Sequence, residues 1–149
     1  MITKTNGETN PVTVQETDQE RYARALDHAS GLLGRRLEAF LGERPGEPAN
    51  GADFKQLATV HTFGDSWSRL EHLDTRTRAL VSVTIAATLG TREPLRGQLR
   101  IALNSGVTPE EIVETFIHVE AYAGAARAFD SYEVALQVFE ERAAAAGHA

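Results

Sequence analysis

The fold is decided by two stretches, LDTRTRALVSVTIAATLG (residues 73–90) and LNSGVTPEEIVETFIHVEAYAG (residues 103–124). In the first, Asp74 is a typical N-cap and Gly90 a typical C-terminal stop, so the stretch predicts a helix. In the second, Thr108, Pro109 and Glu111 form a capping box with proline at the first helical position. Both ends of the second helix are therefore marked, with Gly106 before it and Gly124 after it.

Residues 79–89 of the first stretch are apolar on every face, which predicts a helix buried all round. Their β-branched side chains would also suit a strand. We favour a helix because the chain offers no other strand for it to pair with.

Four more helices are predicted outside these stretches. Apolar residues three and four apart predict a helix that begins at Thr17 or Asp18 and reaches toward Leu41, with glycines inside it. A loop over residues 43–52 precedes a second helix over residues 53–69, and Thr91 is expected to cap a short helix that ends near Ser105.

The last predicted helix covers residues 125–146, with a stripe formed by Phe129, Tyr132, Leu136 and Phe139. The expected architecture is therefore all-α, a bundle of about six helices. We expect one domain over residues 18–149, preceded by a flexible polar arm over residues 1–17.

Composition excludes several classes of function. The 149 residues contain no cysteine, which rules out disulfides, thiolate metal sites and cysteine nucleophiles. A net charge of −6 without a basic run argues against nucleic acid as a partner. The longest uncharged stretch, residues 79–91, is too short to span a membrane, and the N-terminus lacks the apolar core of a signal peptide. We expect a cytoplasmic protein.

The sequence contains no phosphate-binding, dinucleotide or HExxH motif, so we expect no cofactor and no metal.

One segment combines the single tryptophan with a histidine and three arginines. HTFGDSWSR (residues 61–69) runs into the start of the first quoted stretch and supplies His61, Trp67, Arg69, Arg76 and Arg78. An aromatic wall with guanidinium groups suits a small carboxylate, which arginine grips with two hydrogen bonds. Spacing alone favours the alternative, in which Trp67 belongs to the core and the arginines are solvated.

A second segment is the helix after the capping box. Glu114, His118 and Tyr122 lie at positions i, i+4 and i+8, so they share one face. Glu114 and His118 can share a hydrogen bond that orients the imidazole for general acid catalysis near neutral pH. A solvated face or a subunit interface explains the pattern equally well. Glu120, on an otherwise apolar face, is expected to form an interfacial salt bridge, with an acid role as the alternative.

Taken together, the Trp–Arg segment, the entry DTRTR and the turn ALNSGVTPEEI resemble the carboxymuconolactone decarboxylase family over about residues 61–132. The resemblance implies an alkylhydroperoxidase-D-like helical fold that forms homotrimers or homohexamers. Related peroxidases need a Cys-x-x-Cys pair, which is missing, so the resemblance implies the decarboxylase branch without cysteine. That branch removes carbon dioxide from a lactone acid without metal or organic cofactor.

The resemblance assigns roles to residues of this chain. Candidate catalytic residues are His61 and His118 as acids, with Glu114 beside His118. Candidate substrate-binding residues are Trp67, Arg69, Arg76, Arg78, Gln98 and Tyr122.

Gln98 departs from the family pattern. The family usually reads L-x-x-H-L-R-x-A here, whereas residues 95–100 read LRGQLR. Glutamine donates and accepts hydrogen bonds but exchanges no proton near pH 7. Three functions therefore stay open: a decarboxylase that uses His61 or His118, an enzyme repurposed for cyclisation, dehydration or isomerisation in a biosynthetic pathway, and a non-catalytic oligomeric binding protein.

Overall fold

The computed structural model describes residues 15–37 and 40–148. Over these residues the chain forms six α-helices and one π-helix and no β-strand, which confirms the all-α prediction. The elements are α1 (Asp18–Leu33), α2 (Gly51–Thr59), the π-helix (Val60–Ser66), α3 (Thr75–Leu89), α4 (Arg92–Asn104), α5 (Pro109–Ala123) and α6 (Ala125–Ala146). Most of the predicted N-terminal arm, residues 1–14, lies outside the described residues. No helix in the described ranges is long and apolar enough to cross a membrane.

The predicted helix starts are confirmed where a local cap determines them. The Asp74 carboxylate accepts a hydrogen bond from the Thr77 backbone N–H at 2.7 Å, and Gly90 ends α3 with φ of 70°. Thr108 and Glu111 form the predicted capping box of α5. Thr91 precedes α4 as predicted, but its hydroxyl donates to the Ala86 carbonyl at 3.3 Å and does not cap the helix.

Two predicted helices have different bounds in the structure. The first ends at Leu33, because Gly34 adopts φ of 68° and turns the chain before Leu37. The helix predicted over residues 53–69 begins two residues earlier and widens into the π-helix at Val60. Trp67 N–H donates to the Thr62 carbonyl at 2.9 Å, five residues back, as a π-helical turn requires.

The antiparallel pair α3–α4 forms the centre of the bundle. Helices α5 and α6 pack against this pair, and α1 packs against both α4 and the π-helix. One core cluster joins these layers. Its largest fully buried side chains are Leu95, Leu99, Ile101, Ile112, Val83, Val134 and Val138.

The prediction that α3 is buried all round is wrong for a single protomer. Ala79 and Val83 are buried, but Ile85 is 54% exposed, and Val81 and Leu89 are exposed on the same side. The stripe predicted on α6 is also largely exposed, since the core receives Val134, Ala135 and Val138 together with Ala128 and Ser131 instead of Phe129 and Tyr132. Within one protomer the neighbouring helices surround only part of α3 and of α6, so the other faces of both helices are exposed.

Candidate functional site

The π-helix places Trp67 in the interior. Gly64 allows α1 to approach closely, since a Cβ atom at Gly64 would lie 3.2 Å from the Ala25 Cβ. Trp67 follows this turn, is 4% exposed and stacks on Phe63 with 6.4 Å between ring centroids. Trp67 is therefore part of the core, as the alternative prediction held, and it forms an aromatic wall inside the bundle.

Arg78 points from α3 into the same region. Its Nη2 donates to the backbone carbonyl of Arg69, and the Leu73 carbonyl lies at 3.5 Å from the same nitrogen. These bonds fix the connection between the π-helix and α3. The Nε–H of Arg78 is buried and has no hydrogen-bond partner among the described residues. Arg78 therefore positions the loop and still has one donor free in the interior.

Gln98 on α4 has a buried amide oxygen with no donor. The next residue, Leu99, is fully buried in the core cluster. Leaving a buried acceptor unsatisfied costs about 1–3 kcal/mol, so such atoms are rare in folded proteins. The carbonyl of Gln98 is thus available to a donor from a bound molecule.

His28 on α1 is a residue that sequence reasoning missed. Its Nε2 atom is buried and without a partner, whereas the residue as a whole is only half-buried. The available signal was its place directly before Ala29 on the apolar side of α1, which alone does not distinguish it from a core residue. With Arg78 and Gln98, it completes the set of buried unpartnered side-chain atoms in the described chain.

We call His28, Trp67, Arg78 and Gln98 the interior cluster, a name for four buried or half-buried side chains that lie on α1, directly after the π-helix, on α3 and on α4. These elements pack in the order π-helix, α1, α4, α3. Ala79 and Leu99, which follow Arg78 and Gln98 in the sequence, belong to the core cluster that contains Trp67. The side chain of Leu33, beyond His28 on α1, lies 4.0 Å from where a Cβ atom of Gly97 would be. No hydrogen bond joins the members of the cluster to one another.

Arg76, two residues before Arg78, points elsewhere. It forms an ion pair with Glu111 and so connects α3 to the capping box of α5. The pKa of Glu111 is lowered, first because the Thr108 backbone N–H donates to its carboxylate and second because Arg76 does. Arg76 also lines a surface cleft of about 460 Å³ between the ends of α1, α3 and α4.

The remaining predicted residues lie on the outside of the protomer. Glu114, His118 and Tyr122 are exposed on α5, and His61 and Arg69 are exposed near the π-helix. The predicted hydrogen bond between Glu114 and His118 is absent. The His118 ring instead lies 5.0 Å from the Tyr122 ring, tilted by 52°. We call Glu114, His118 and Tyr122 the outer set.

A groove of about 230 Å³ between α5 and α6 lies next to the outer set. It is lined by Val113, Phe116, Ile117, Glu120, Ala128, Phe129 and Tyr132. Glu120 is its single charged residue, and no described side chain pairs with it. No group of three or more metal-ligating side chains occurs within residues 15–37 and 40–148.

The chain is an all-α bundle without cysteine, and its described residues include buried unpartnered polar atoms on α1, α3 and α4. A family model described as the carboxymuconolactone decarboxylase family matches residues 52–137. A 4-carboxymuconolactone decarboxylase of Acinetobacter baylyi is 31% identical over 126 residues, which cover 83% of this chain and 90% of that protein. The chain belongs to the carboxymuconolactone decarboxylase family. His28 precedes the matched residues, whereas Trp67, Arg78 and Gln98 lie within them.

Proposed function

We propose that the protein is a cytoplasmic, cofactor-independent lyase that removes carbon dioxide from a small or medium carboxylated lactone or enol. The observation that supports this most is the pair of buried, unpartnered atoms on adjacent helices, Arg78 Nε and Gln98 Oε1. A polar ligand with both a carboxylate or carbonyl and a hydroxyl would satisfy both atoms. The name of the Acinetobacter baylyi relative supports the same substrate class.

The proposed chemistry needs three things from the protein. A substrate carboxylate must lose carbon dioxide, the electron pair must pass into a conjugated carbonyl, and a proton must return to carbon. Arg78 would stabilise the oxygen that gains negative charge, which is worth most in a site without water. Trp67 would exclude water, and Gln98 would orient the substrate without donating a proton to carbon.

The other predicted residues keep their roles as part of the proposal. His61 and His118, with Glu114 beside His118, remain candidate acids, and Arg69, Arg76 and Tyr122 are proposed to contact substrate. His61, His118 and Tyr122 are exposed in one protomer, so their use requires that substrate or a second copy of the chain covers them.

We propose a homotrimer or homohexamer as the working form. The exposed apolar residues of α3 and the α5–α6 groove are too extensive for solvent contact alone, with Phe129 69% exposed. Ile85→Lys should lower the mass measured by light scattering toward that of a protomer. Asp27→Lys, an exposed charge change on α1, should leave the mass unchanged. An Ile85→Lys protein of unchanged mass would exclude α3 from the interface.

Gln98 supports a second candidate function. Because Gln98 exchanges no proton near pH 7, the second candidate is a ring-forming, dehydrating or isomerising step on a related carbonyl compound. Such an enzyme would consume substrate and release no carbon dioxide.

Purified protein mixed with 4-carboxymuconolactone, and with a panel of carboxylated lactones and enols, tests these functions directly. If the protein is the proposed lyase, it releases one carbon dioxide for each substrate molecule consumed, and the Arg78→Met variant loses this activity. Substrate consumed without carbon dioxide indicates the second function. Binding without turnover, followed by the fluorescence of Trp67, indicates a binding protein and contradicts both enzymatic proposals.

A further inference from the structure

The geometry points to His28 as the proton donor of the interior cluster, the residue that returns a proton to substrate carbon after carbon dioxide leaves. This inference rests on the proposed lyase function. It starts from the observation that Gln98, a buried polar side chain of the interior cluster, has no proton to exchange. Imidazole is the side chain that gains and loses a proton near neutral pH.

The position of His28 on α1 connects the parts of the site. Ala25, one turn earlier, packs against Gly64 of the π-helix that carries Trp67. Leu33, further along α1, packs against Gly97, the residue before Gln98. The turn of α1 that holds His28 therefore lies between these two contacts, next to the π-helix that precedes Trp67 and next to α4, which carries Gln98.

The hydrogen bonding of His28 fits a ligand better than a structural role. A structural histidine in a core uses its ring nitrogens to bond neighbours, since a buried unsatisfied nitrogen is unfavourable. His28 has no hydrogen bond to any described residue, and its Nε2 is buried. The residue as a whole is only half-buried, so this position on α1 borders solvent as well as the interior.

The step balances with these groups alone. The bond between the carboxylate carbon and its neighbour breaks, carbon dioxide leaves, and the electron pair forms an enolate on the conjugated carbonyl. Arg78 stabilises the enolate oxygen. The imidazolium of His28 transfers its Nε2 proton to carbon and a C–H bond forms. After product leaves, water that enters the site returns a proton to Nε2, and the hydroxide that remains combines with carbon dioxide as bicarbonate.

His28→Gln tests this inference against His72→Gln, a matched change at an exposed histidine between the π-helix and α3. Two quantities are measured for each protein, kcat for carbon dioxide release and the affinity for a saturated lactone carboxylate by Trp67 fluorescence. His28→Gln should lower kcat about 10²–10⁴-fold, as expected for loss of a general acid, and leave affinity within about threefold. His72→Gln should change neither.

A second variant separates chemistry from folding. His28→Ala should lose kcat to a similar degree, and added imidazole should restore part of it, since the small molecule fits the space left by the ring. A purely structural histidine would show no such rescue.

The outcomes distinguish the inference from the function it rests on. Wild-type protein that releases carbon dioxide, with His28→Gln at full kcat, overturns the role of His28 alone. The role of His28 is also overturned if His61→Gln or His118→Gln lowers kcat and His28→Gln does not. Wild-type protein that releases no carbon dioxide from any acid of the panel overturns both.

Discussion

The interior cluster and the outer set both contain the residue types of an active site, yet they differ in how their polar atoms are satisfied. His28, Arg78 and Gln98 each hold a buried atom without a partner. Glu114 and His118 are exposed and are hydrated at no energetic cost. A buried unsatisfied atom is unfavourable in the free protein, so a bound ligand recovers energy there that it cannot recover on the outside.

The two arginines at the start of α3 show the same contrast. Arg78 points inward, bonds two loop carbonyls and keeps a free donor. Arg76 points outward and is held by Glu111. Residues two apart on a helix point in different directions, which is why one short motif serves both the interior and the link to α5.

The largest expected effect separates the two regions by stability. Trp67→Ala removes a core aromatic and should lower the free energy of unfolding by about 3–5 kcal/mol. Tyr122→Ala changes a side chain that is 84% exposed and should stay within about 0.5 kcal/mol in the protomer. Chemical denaturation measures both. If Tyr122→Ala lowers the free energy of unfolding by more than Trp67→Ala does, the outer set is buried in an interface between protomers.

Arg78→Met tests whether the interior cluster carries the chemistry. Loss of a charged hydrogen-bond donor is worth about 1.5–3 kcal/mol, so kcat/KM should fall roughly 10–100-fold or more. Arg127→Met, at an exposed arginine of α6, is the matched control and should keep its activity. If the Arg78→Met variant keeps the full kcat/KM of wild type, Arg78 does not take part in the reaction.

Arg76→Gln should have a smaller effect, on stability and with a defined pH dependence. The pKa of Glu111 lies below its ordinary value of 4.5, so the contribution of this pair is present above that pH and is lost as pH falls through the lowered pKa. The thermal midpoint of Arg76→Gln should therefore lie below that of wild type at about pH 7, and this difference should disappear as the pH falls through the lowered pKa of Glu111. The ion pair is not the origin of the difference in thermal midpoint if that difference persists in acid. The same conclusion follows if Arg127→Gln shows the same difference at neutral pH.

Local signals made much of the fold predictable. Asp74 and Thr108 determine where α3 and α5 begin because each satisfies backbone N–H groups within three residues. The π-helix was not predictable in this way. It depends on the close contact of Gly64 with Ala25, which are far apart in sequence.

The candidate site was predictable in part and for similar reasons. The motifs of the family mark Arg78, Gln98 and Trp67 as candidates, but they do not say which atoms lack partners. His28 was missed because it lies outside the motif, and only packing of α1 onto the bundle buries its Nε2. The hydrogen bond that the spacing of Glu114 and His118 permits does not form in the protomer, because water competes for both side chains on an exposed face.

The central claim is that the interior cluster is left unsatisfied for a ligand, and Gln98→Leu tests it most directly. Two quantities are needed from one protein, the free energy of unfolding and the affinity for a saturated lactone carboxylate that carries a hydroxyl, which can donate to the Gln98 oxygen. Gln19→Leu, on the exposed side of α1, is the control. We expect the stability of Gln98→Leu to be unchanged or higher, because an unsatisfied buried oxygen is removed, and its affinity to fall about tenfold. Lower stability with unchanged affinity would show that Gln98 serves the fold and would contradict the account.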